Sequence, residues 1–443
     1  MISYDAANMP ANTETAPTGA FANSGWQHQV VTTRVGRTHS YLATIISPKH
    51  YITANHLGNG WIGTGDREIV TQPSFITGGA EETFTIRNGG NPQPIQWLDP
   101  ADGMLKNTDL RVFEIWETFP SYAELFSQSG NPDVEVGGNF ISFAEQNEEF
   151  VMTGYGDGRG LVVSVLDVTR GWQGDPNDRK VRWGRNEVDG IVNSERGLLL
   201  YCDFDALTGK SECHAMGRDS GGGWFIKDGE KWKLAGINYT VDSFEYGPPN
   251  PEWGGFRAAV FSGSGLYLGP TDELITPGDF YERSHTYATR VSAHEAALDA
   301  IIQPAKDTAL LPPEERLERW VSDHGVSTGL APDDDADGDG LNNLLEYLTE
   351  SDPGDSQVRR SPLRLEMPVA GTLHFILVET LDLLGREITT TLEKSNDLTT
   401  WTAVTGTTEE SNVPDPVTGI RTKVLSLSTL GDAKVYYRLK VEL

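Results

Sequence analysis

Short apolar runs separated by turn residues dominate the sequence from about residue 26 to residue 270. The runs are rich in strand-forming side chains, and glycine, proline, asparagine and aspartate lie between them; they include residues 41–46, 110–115, 160–166, 224–226 and 232–237. The 48 glycines of the chain favour closely spaced turns. This spacing predicts an antiparallel barrel or sandwich, and therefore a mainly β fold.

Helical patterns follow this β region. Ser292 and Glu295 have the spacing of a capping box, and apolar residues recur at helical spacing after them as far as Pro304. A second helix is predicted to run from Pro313 to Gly325, and the β pattern returns from about residue 358. A chain of 443 residues is too long for one ordinary core. The predicted division is an N-terminal arm (1–25), a first β domain (26–303), a helical linker (304–357) and a C-terminal β-sandwich (358–443).

The formal net charge of −29 limits the partners of the chain. Such a field repels phosphate backbones, so nucleic acid is not an expected partner. The same charge suits a protein that stays soluble outside the cell or holds cations. The sequence has no apolar run near the roughly 20 residues that a membrane span needs, so no membrane span is expected.

Three short segments carry the residue types that acyl transfer to a serine requires. Ser220 is flanked by glycines in residues 217–223, where a tight turn exposes the hydroxyl and lets backbone N–H groups converge. A serine hydroxyl needs a base, and the base needs a group that orients it. His56 ends an apolar strand and Asp109 begins one, so the two residues supply those groups in the order His, Asp, Ser.

These segments resemble the chymotrypsin/trypsin family of serine endopeptidases. Residues 52–56 are similar to the family's strand ending in TAAH, residues 108–110 to its DIAL segment, and residues 218–222 to its GDSGG segment. Residues 234–237 and 287–293 resemble the strand after the nucleophile and the entry to the closing helix. The resemblance covers about residues 26–303. It implies a trypsin-like serine protease domain, a chymotrypsin-like double β-barrel with a C-terminal helix.

The resemblance also implies the roles of the site residues. Ser220 would attack a peptide carbonyl, His56 would move the proton, and Asp109 would orient the imidazole. The backbone N–H groups of Arg218 and Ser220 would form the oxyanion hole. Because the family has glycine at position 218, the arginine leaves a second interpretation open, a catalytically impaired protein with a binding or adhesion role. The expected partner of an active enzyme is a peptide or protein substrate.

The substrate pocket follows from the same resemblance. His214 would lie at its base, with Asn238 and Thr240 on a wall. No aspartate lies at that base, so a preference for lysine or arginine is not implied; His214 either pairs with an acidic side chain or merely packs. In the family, the aspartate before the nucleophile pairs with a cleaved amino terminus. Here the arm lacks the usual IVGG entry and Arg218 offers a nearby cation, so we expect Asp219 to be satisfied internally.

Residues 335–346 match the twelve-residue calcium loop position by position. Gly340 falls where the loop turns sharply, and the ligand positions are occupied by Asp335, Asp337, Asp339, Leu341 (through its carbonyl), Asn343 and Glu346. The alternative is a solvated acidic linker. The loop resembles the calcium-binding linkers of secreted bacterial proteins, similar to thrombospondin type-3 and dockerin loops. We therefore expect one structural Ca²⁺, and no cofactor for catalysis.

The two cysteines, Cys202 and Cys213, lie close together in a loop-rich stretch. We expect them to form one small disulfide, with two buried thiols as the alternative. The calcium loop favours a secreted, periplasmic or cell-surface location, since extracellular calcium would fill even a weak site, and such a location favours the disulfide. The first residues, from Met1 to Asp5, lack the basic start and apolar stretch of a signal peptide.

Overall fold

The computed structural model describes residues 1–4, 13–34, 40–57, 68–87, 92–100, 102–128, 132–137, 139–205, 211–247, 255–269, 271, 273–383, 387–428 and 435–443. Strands make up 48% of the described residues and helices 14%, so the predicted mainly β fold is confirmed. Contacts divide the chain into two compact units. The first contains residues 1–83, 90–114 and 121–302, and the second contains residues 84–89, 115–120 and 303–443.

The strands of the first 302 residues are short, as the turn-rich sequence predicts. In the N-terminal half they are β1 Ile2–Tyr4, β2 Gln29–Arg34, β3 Ser40–Ile45, β4 His50–Ala54, β5 Glu68–Gln72, β6 Glu82–Phe84, β7 Gln93–Leu98, β8 Leu105–Glu114, β9 Glu124–Leu125, β10 Val134–Val136, β11 Asn139–Ser142 and β12 Glu149–Gly154. They continue as β13 Asp157–Val165, β14 Val168–Arg179, β15 Arg182–Glu187, β16 Gly190–Ser194, β17 Gly197–Asp203, β18 Glu212–His214, β19 Gly223–Asp228, β20 Lys231–Val241, β21 Ser243–Glu245, β22 Phe256–Val260, β23 Tyr267–Gly269, β24 Glu273–Leu274 and β25 His285–Arg290.

A seven-stranded antiparallel sheet carries two of the predicted site segments. Its strand order is β6-β5-β2-β3-β4-β8-β7, so β4 and β8 are direct neighbours. All five residues of β4 are buried, and its side chains Ile52 and Ala54 pack with Leu110 and Val112 of β8 in one core cluster. This burial on both faces explains the continuous apolar run that precedes His56.

An eight-stranded sheet supports the serine segment. Its main order is β15-β12-β19-β20-β25-β17-β16, with β9 added in parallel beside β20. Phe150 of β12 stacks on Trp224 of β19, with ring centroids 4.0 Å apart and planes inclined by 6°. A further six-stranded sheet has the order β13-β14-β22-β21-β23-β24, and β10 pairs with β11. β19 follows Ser220 directly, so this stacked core fixes one end of the serine loop.

The start of the chain differs from the predicted loose arm. β1 pairs antiparallel with β18, and Ile2 lies opposite His214. Met1 and Ile2 are only 2% and 1% exposed. The arm looked polar because most of residues 1–25 are polar, whereas the two apolar residues at its start are buried in separate core clusters.

The helices are α1 Ser74–Thr77, α2 Glu295–Ala309, α3 Pro313–Asp323 and α4 Asn343–Thr349, with 3-10 turns at Gly19–Phe21, Trp26–His28, Asn55–Leu57, Phe280–Glu282 and Ser292–His294. The predicted capping box does not form, because the Ser292 hydroxyl donates to Glu145 and Glu295 accepts from Ser127. α2 also continues past Pro304. Within the described residues, none of the helices combines the length and apolar character that crossing a bilayer requires.

The second unit has its own helices and sheets. Its strands are β26 Leu363–Val369, β27 Thr372–Thr380, β28 Thr389–Ser395, β29 Thr402–Ala403, β30 Thr408–Pro414, β31 Ile420–Ser428 and β32 Tyr436–Glu442. They form a four-stranded sheet, β26-β27-β31-β30, and a three-stranded sheet, β29-β28-β32. Phe375 of the first sheet meets Tyr437 of the second, with ring centroids 4.9 Å apart. The structure therefore groups the linker (304–357) and the sandwich (358–443) in one unit.

A buried ion network joins three distant parts of the first unit. The Arg290 guanidinium and the Glu145 carboxylate are both fully buried and lie 2.6 Å apart. Asp133 forms a second ion pair with Arg290 at 2.6 Å, and the Ser292 hydroxyl donates to Glu145. The Arg290 and Glu145 charges lack water, so each depends on its partners for compensation, whereas Asp133 is partly exposed.

We predict that Glu145→Ala lowers the free energy of unfolding by about 3 to 5 kcal/mol, because it leaves the Arg290 guanidinium buried with only part of its compensation. Urea denaturation measures this loss. Glu149→Ala is the matched control, because its ion pair with Arg185 is solvent-exposed and should contribute less than about 1 kcal/mol. Equal losses in the two variants would contradict a structural role for the network.

Candidate active site

The pairing of β4 with β8 brings His56 and Asp109 together. In this register Ala54 lies opposite Leu110, so the 3-10 turn Asn55–Leu57, which follows β4 and contains His56, lies beside Asp109. The His56 Nδ1 atom lies 2.7 Å from Asp109 Oδ2, and the His56 backbone N–H donates to Asp109 Oδ1 at 2.8 Å. Both carboxylate oxygens are therefore used to hold one histidine.

Neighbouring side chains fix this pair. The Thr108 hydroxyl donates to the Ile95 carbonyl at 2.9 Å, and the Asn55 amide donates to the Thr108 carbonyl at 3.0 Å. Asp109 is fully buried, whereas 34% of the His56 side chain is exposed. The carboxylate is thus shielded from water while the other side of the imidazole remains accessible.

Ser220 completes a chain of three hydrogen-bonded side chains. Its Oγ atom lies 2.9 Å from His56 Nε2. Gly221, with a φ of 88°, has no room for a side chain, because a Cβ there would overlap the Leu42 carbonyl oxygen and the Thr53 hydroxyl. The glycines after the serine therefore let the loop lie directly against β3 and β4, which sets Ser220 beside His56.

Arg218 adopts the backbone conformation that a glycine would take. Its φ is 75°, in the left-handed region. The turn is closed by bonds from Asp219 N to the Met216 carbonyl and from Gly222 N to the Asp219 carbonyl. Among the residues that the structure describes, neither the Arg218 nor the Ser220 N–H has an acceptor. Two backbone donors thus remain available next to the Ser220 hydroxyl, and the arginine has not forced the peptide to turn.

Asp219 is not satisfied in the way we expected. The Met1 amino nitrogen lies 2.6 Å from Asp219 Oδ2, and both groups are buried. The backbone N–H groups of Gly156 and Met216 also donate to the carboxylate, at 2.7 and 2.8 Å. The internal N–H groups therefore compensate only part of the Asp219 charge, and the Met1 amine compensates the rest. Among the described residues, Arg218 forms no ion pair with Asp219. The ladder between β1 and β18 holds the amine in place.

A cavity of about 480 Å³ opens beside Ser220. It is lined by Tyr41, His56, Leu57, Ala215, Met216, Gly217, Arg218, Ser220, Asn238, Tyr239, Thr240, Val241 and Arg257. Asn238 and Thr240 thus line it, as predicted. The polar atoms of Asn238 are already bonded to Thr153, Asp219 and Trp224, so this residue shapes the wall instead of offering free groups.

His214 does not line this cavity, contrary to the prediction. It is fully buried in β18, and both ring nitrogens lack a hydrogen-bond partner. Burial lowers the pKa of His214 to about 4, so the ring is neutral at physiological pH. The packing alternative is the one that the structure supports, because the pairing of β18 with β1 covers this histidine.

Sequence reasoning missed two residues of the cavity that bear on its chemistry. Arg257 lies on β22, and no motif or spacing from Ser220 points to it. Tyr239 lies between the two predicted wall residues, and its ring centroid is 5.8 Å from that of His56. Burial, and next the Asp109 carboxylate, raise the pKa of Tyr239. The adjacency of Tyr239 to Asn238 and Thr240 is a signal that could have found it.

The acidic loop brings three of its predicted ligands together. Carboxylate oxygens of Asp335, Asp337 and Asp339 lie within 4.8 Å of one another. The N–H groups of Gly338 and Gly340 donate to Asp335 at 2.8 and 2.9 Å and wrap the loop around that carboxylate. The Leu341 N–H donates to Asp339 instead, at 2.7 Å.

The burial of Glu346 distinguishes this loop from a solvated acidic linker. It is fully buried in α4, and neither carboxylate oxygen has a hydrogen-bond partner among the described residues. Burial, and then the charges of Asp337 and Asp339, raise the pKa of Glu346 to about 7. Glu346 lies outside the group of oxygens that meet within 4.8 Å. A buried, unpaired carboxylate beside three others fits a cation with oxygen ligands.

Asn343 is placed differently from Glu346. Its amide nitrogen donates to the carbonyls of Gly329 and Ala331, at 2.8 and 2.7 Å. It therefore joins the start of α4 to the chain before the loop. The three aspartates and Glu346 carry the fit to a metal, and Asn343 stays a predicted ligand, because its Oδ1 atom is buried without a hydrogen-bond partner among the described residues.

The predicted disulfide is not formed. Cys202 and Cys213 are free thiols, both buried. Cys202 lies on β17, which pairs with β16 and β25, whereas Cys213 lies on β18, which pairs with β1. Burial raises the pKa of both thiols well above the usual value. They pack as small apolar side chains in one core cluster, which was the alternative interpretation.

Comparisons with known proteins give little beyond the fold class. No known protein family matches the chain. No curated protein matches it. Among solved structures, 533 chains match. One is an inactivated protease paralogue of the scabies mite, with a TM-score of 0.33 and 12% identity over 63% of this chain and 96% of that chain. A likeness at this level assigns neither a site nor an activity.

We predict that Arg218→Gly raises the free energy of unfolding by about 1 kcal/mol, because glycine adopts a φ of 75° without steric penalty. Chemical denaturation measures the change. Lys227→Gly removes a similar charged side chain from β19, where glycine weakens a strand, and should lower stability. A loss of stability in Arg218→Gly would mean that the arginine side chain compensates for its backbone strain.

Proposed function

We propose that the chain is a serine endopeptidase that cleaves peptide bonds through an acyl-enzyme on Ser220. The observation that supports this most directly is the unbroken series of hydrogen bonds from Asp109 through His56 to Ser220, at 2.7 and 2.9 Å. A nucleophile, a base within reach and a third group that orients the base are the parts that such a reaction needs.

The proposed reaction begins with attack of the Ser220 hydroxyl oxygen on the substrate carbonyl carbon. His56 Nε2 accepts the hydroxyl proton and then donates it to the leaving amine as the C–N bond breaks. Asp109 stabilises the imidazolium, with its hydrogen bond holding the Nδ1–H. The N–H groups of Arg218 and Ser220 are available to bind the oxyanion. Water then enters, His56 removes its proton, and hydrolysis of the ester frees Ser220.

The proposal includes a structural calcium ion in the second unit. Asp335, Asp337, Asp339 and Glu346 would hold it, with carbonyl and water oxygens completing the usual six to eight ligands. The ion would neutralise the carboxylates and stabilise the start of α4, and it takes no part in the reaction. A site of this kind is filled at millimolar calcium, so we propose a location outside the cytosol, at the cell surface or secreted.

We predict that a fluorophosphonate probe labels Ser220 in the calcium-loaded protein, because labelling needs a serine hydroxyl activated by a base and available oxyanion donors. Ser220→Ala should abolish labelling and peptide hydrolysis. His56→Ala should lower hydrolysis by a similar factor, about 10⁴ or more, and the double variant should be little worse than either single one. Active-site mass spectrometry and turnover of a denatured protein substrate measure these effects.

Two results would contradict the proposal. Absence of labelling in a folded, calcium-loaded protein would favour the second interpretation, a protease-like fold with a binding or adhesion role. Full activity in His56→Ala would show that His56 is not the base of the reaction. Ser40→Ala is a matched control, since this half-buried residue of β3 lies outside the cavity lining and its loss should leave labelling unchanged.

We predict that millimolar Ca²⁺ raises the unfolding temperature of the second unit and that Glu346→Gln abolishes this effect. With 1 mM Ca²⁺ and a Kd of about 10 µM, the gain in stability is about 2.7 kcal/mol. Calorimetry with and without a chelator measures it. Glu366→Gln is the control, because this glutamate is an exposed residue of β26. An equal response to calcium in both variants would mean that the ion binds elsewhere.

A further inference from the structure

The charged side chains that line the cavity beside Ser220 are the guanidinium groups of two arginines. Its lining contains the imidazole of His56 and the guanidinium groups of Arg218 and Arg257, and the lining residues that the structure describes include no carboxylate. The whole chain, by contrast, has 64 acidic and 35 basic residues. A surface composed by chance from this sequence would place more acids than bases around a cavity of this size.

Both guanidinium groups are open to a new partner. Arg218 and Arg257 are exposed, and neither forms an ion pair within 4.0 Å in the part of the chain that the structure describes. Asp157 and Glu245 line an adjoining cavity of about 570 Å³, which Arg257 also borders, and Asp157 Oδ2 lies 3.0 Å from where a Cβ of Gly217 would lie. Arg257 therefore stands between the two cavities, with Nη1 3.6 Å from where a Cβ of Gly217 would lie.

The chemistry of the reaction decides which substrate residue meets this charge. The carbonyl carbon that bonds to Ser220 Oγ belongs to the residue on the acyl side of the scissile bond. The side chain of that residue is attached to the Cα atom next to this carbonyl carbon. It therefore lies close to Ser220, and the cavity that contains Ser220 is the one that it can enter. A cavity of about 480 Å³ has room for a side chain of ordinary length.

We infer that the site prefers substrates with aspartate or glutamate on the acyl side of the scissile bond, and that Arg257 is the residue that recognises the carboxylate. This inference rests on the proposed endopeptidase function. A guanidinium binds a carboxylate through two parallel N–H donors, and this geometry selects against amides and cations. Arg218 adds positive charge at the mouth of the cavity. His214 plays no part, because it is buried behind the wall.

The first test compares peptides that differ only in the acyl-side residue. In calcium-loaded full-length protein, kcat/KM for Glu should exceed that for Gln by about 10-fold and that for Lys by more. Arg257→Gln should reduce the Glu-to-Gln ratio to near 1, and Arg257→Glu should favour Lys. Lys227→Gln removes one positive charge outside the cavity and should leave the ratio unchanged. A ratio near 1 in the unaltered protein overturns the inference and leaves the proposed function intact.

The second test does not depend on turnover. Ser220→Ala protein is titrated with fluorescent product peptides that end in Glu, Gln or Lys, and affinity is read from anisotropy. We expect the Glu peptide to bind about 10-fold more tightly than the Gln peptide, and Arg257→Gln to remove the difference. Equal affinities overturn the inference. A preference for Glu, together with a full-length protein that neither reacts with fluorophosphonate nor cleaves peptides, supports the pocket assignment and refutes the proposed function.

Discussion

The buried carboxylate of Asp109 ties together the two strands on which the site depends. One of its oxygens accepts from the His56 ring and the other from the His56 backbone N–H, so the end of β4 cannot move without breaking both bonds. An ionised carboxylate without water needs such donors to offset its lost hydration. The apolar packing of β4 against β8 keeps water out. The core that stabilises the sheet therefore leaves the Asp109 carboxylate dependent on the donors of His56. The same two bonds hold the His56 ring toward Ser220.

The glycines near Ser220 impose a second constraint, since they determine how closely the serine loop approaches this pair. A Cβ at Gly221 would meet the backbone of β3, and one at Gly222 would meet the Thr153 carbonyl. The loop is therefore clamped between the two large sheets. Asp219 also holds the loop, because its carboxylate binds the N–H groups of Gly156 and Met216 and the Met1 amine. Its geometry is set by backbone contacts, whereas Arg218 is free to present its side chain.

The sequence was most informative where a function depends on local context. His56 follows the end of β4 and Ser220 stands in a glycine turn, whereas Asp109 lies within β8 and not at its start, as the sequence had suggested. The structure brings all three within hydrogen-bond distance. It was least informative where contacts join distant segments. Ser292 has the spacing of a helix cap, yet Glu145, 147 residues earlier, takes its hydroxyl. Cys202 and Cys213 are close in sequence but lie on strands that are not neighbours. The family pattern put His214 at the base of the pocket, but in the structure it is buried on β18, where the pairing with β1 sets Ile2 opposite it.

Arg218 combines a backbone conformation that costs free energy with a charged side chain that lines the cavity. A glycine would give the same turn without the roughly 1 to 2 kcal/mol that a left-handed L-residue costs. It would also leave the two backbone donors beside Ser220 unchanged, because they depend on the turn and not on the side chain. What only the arginine supplies is a second guanidinium at the mouth of the cavity, beside Arg257. In a chain with a net charge of −29, an acidic substrate would be repelled over most of the surface. Two guanidinium groups in the cavity that contains Ser220 oppose that field locally. The strain at position 218 therefore agrees with the preference for acyl-side carboxylates that we infer.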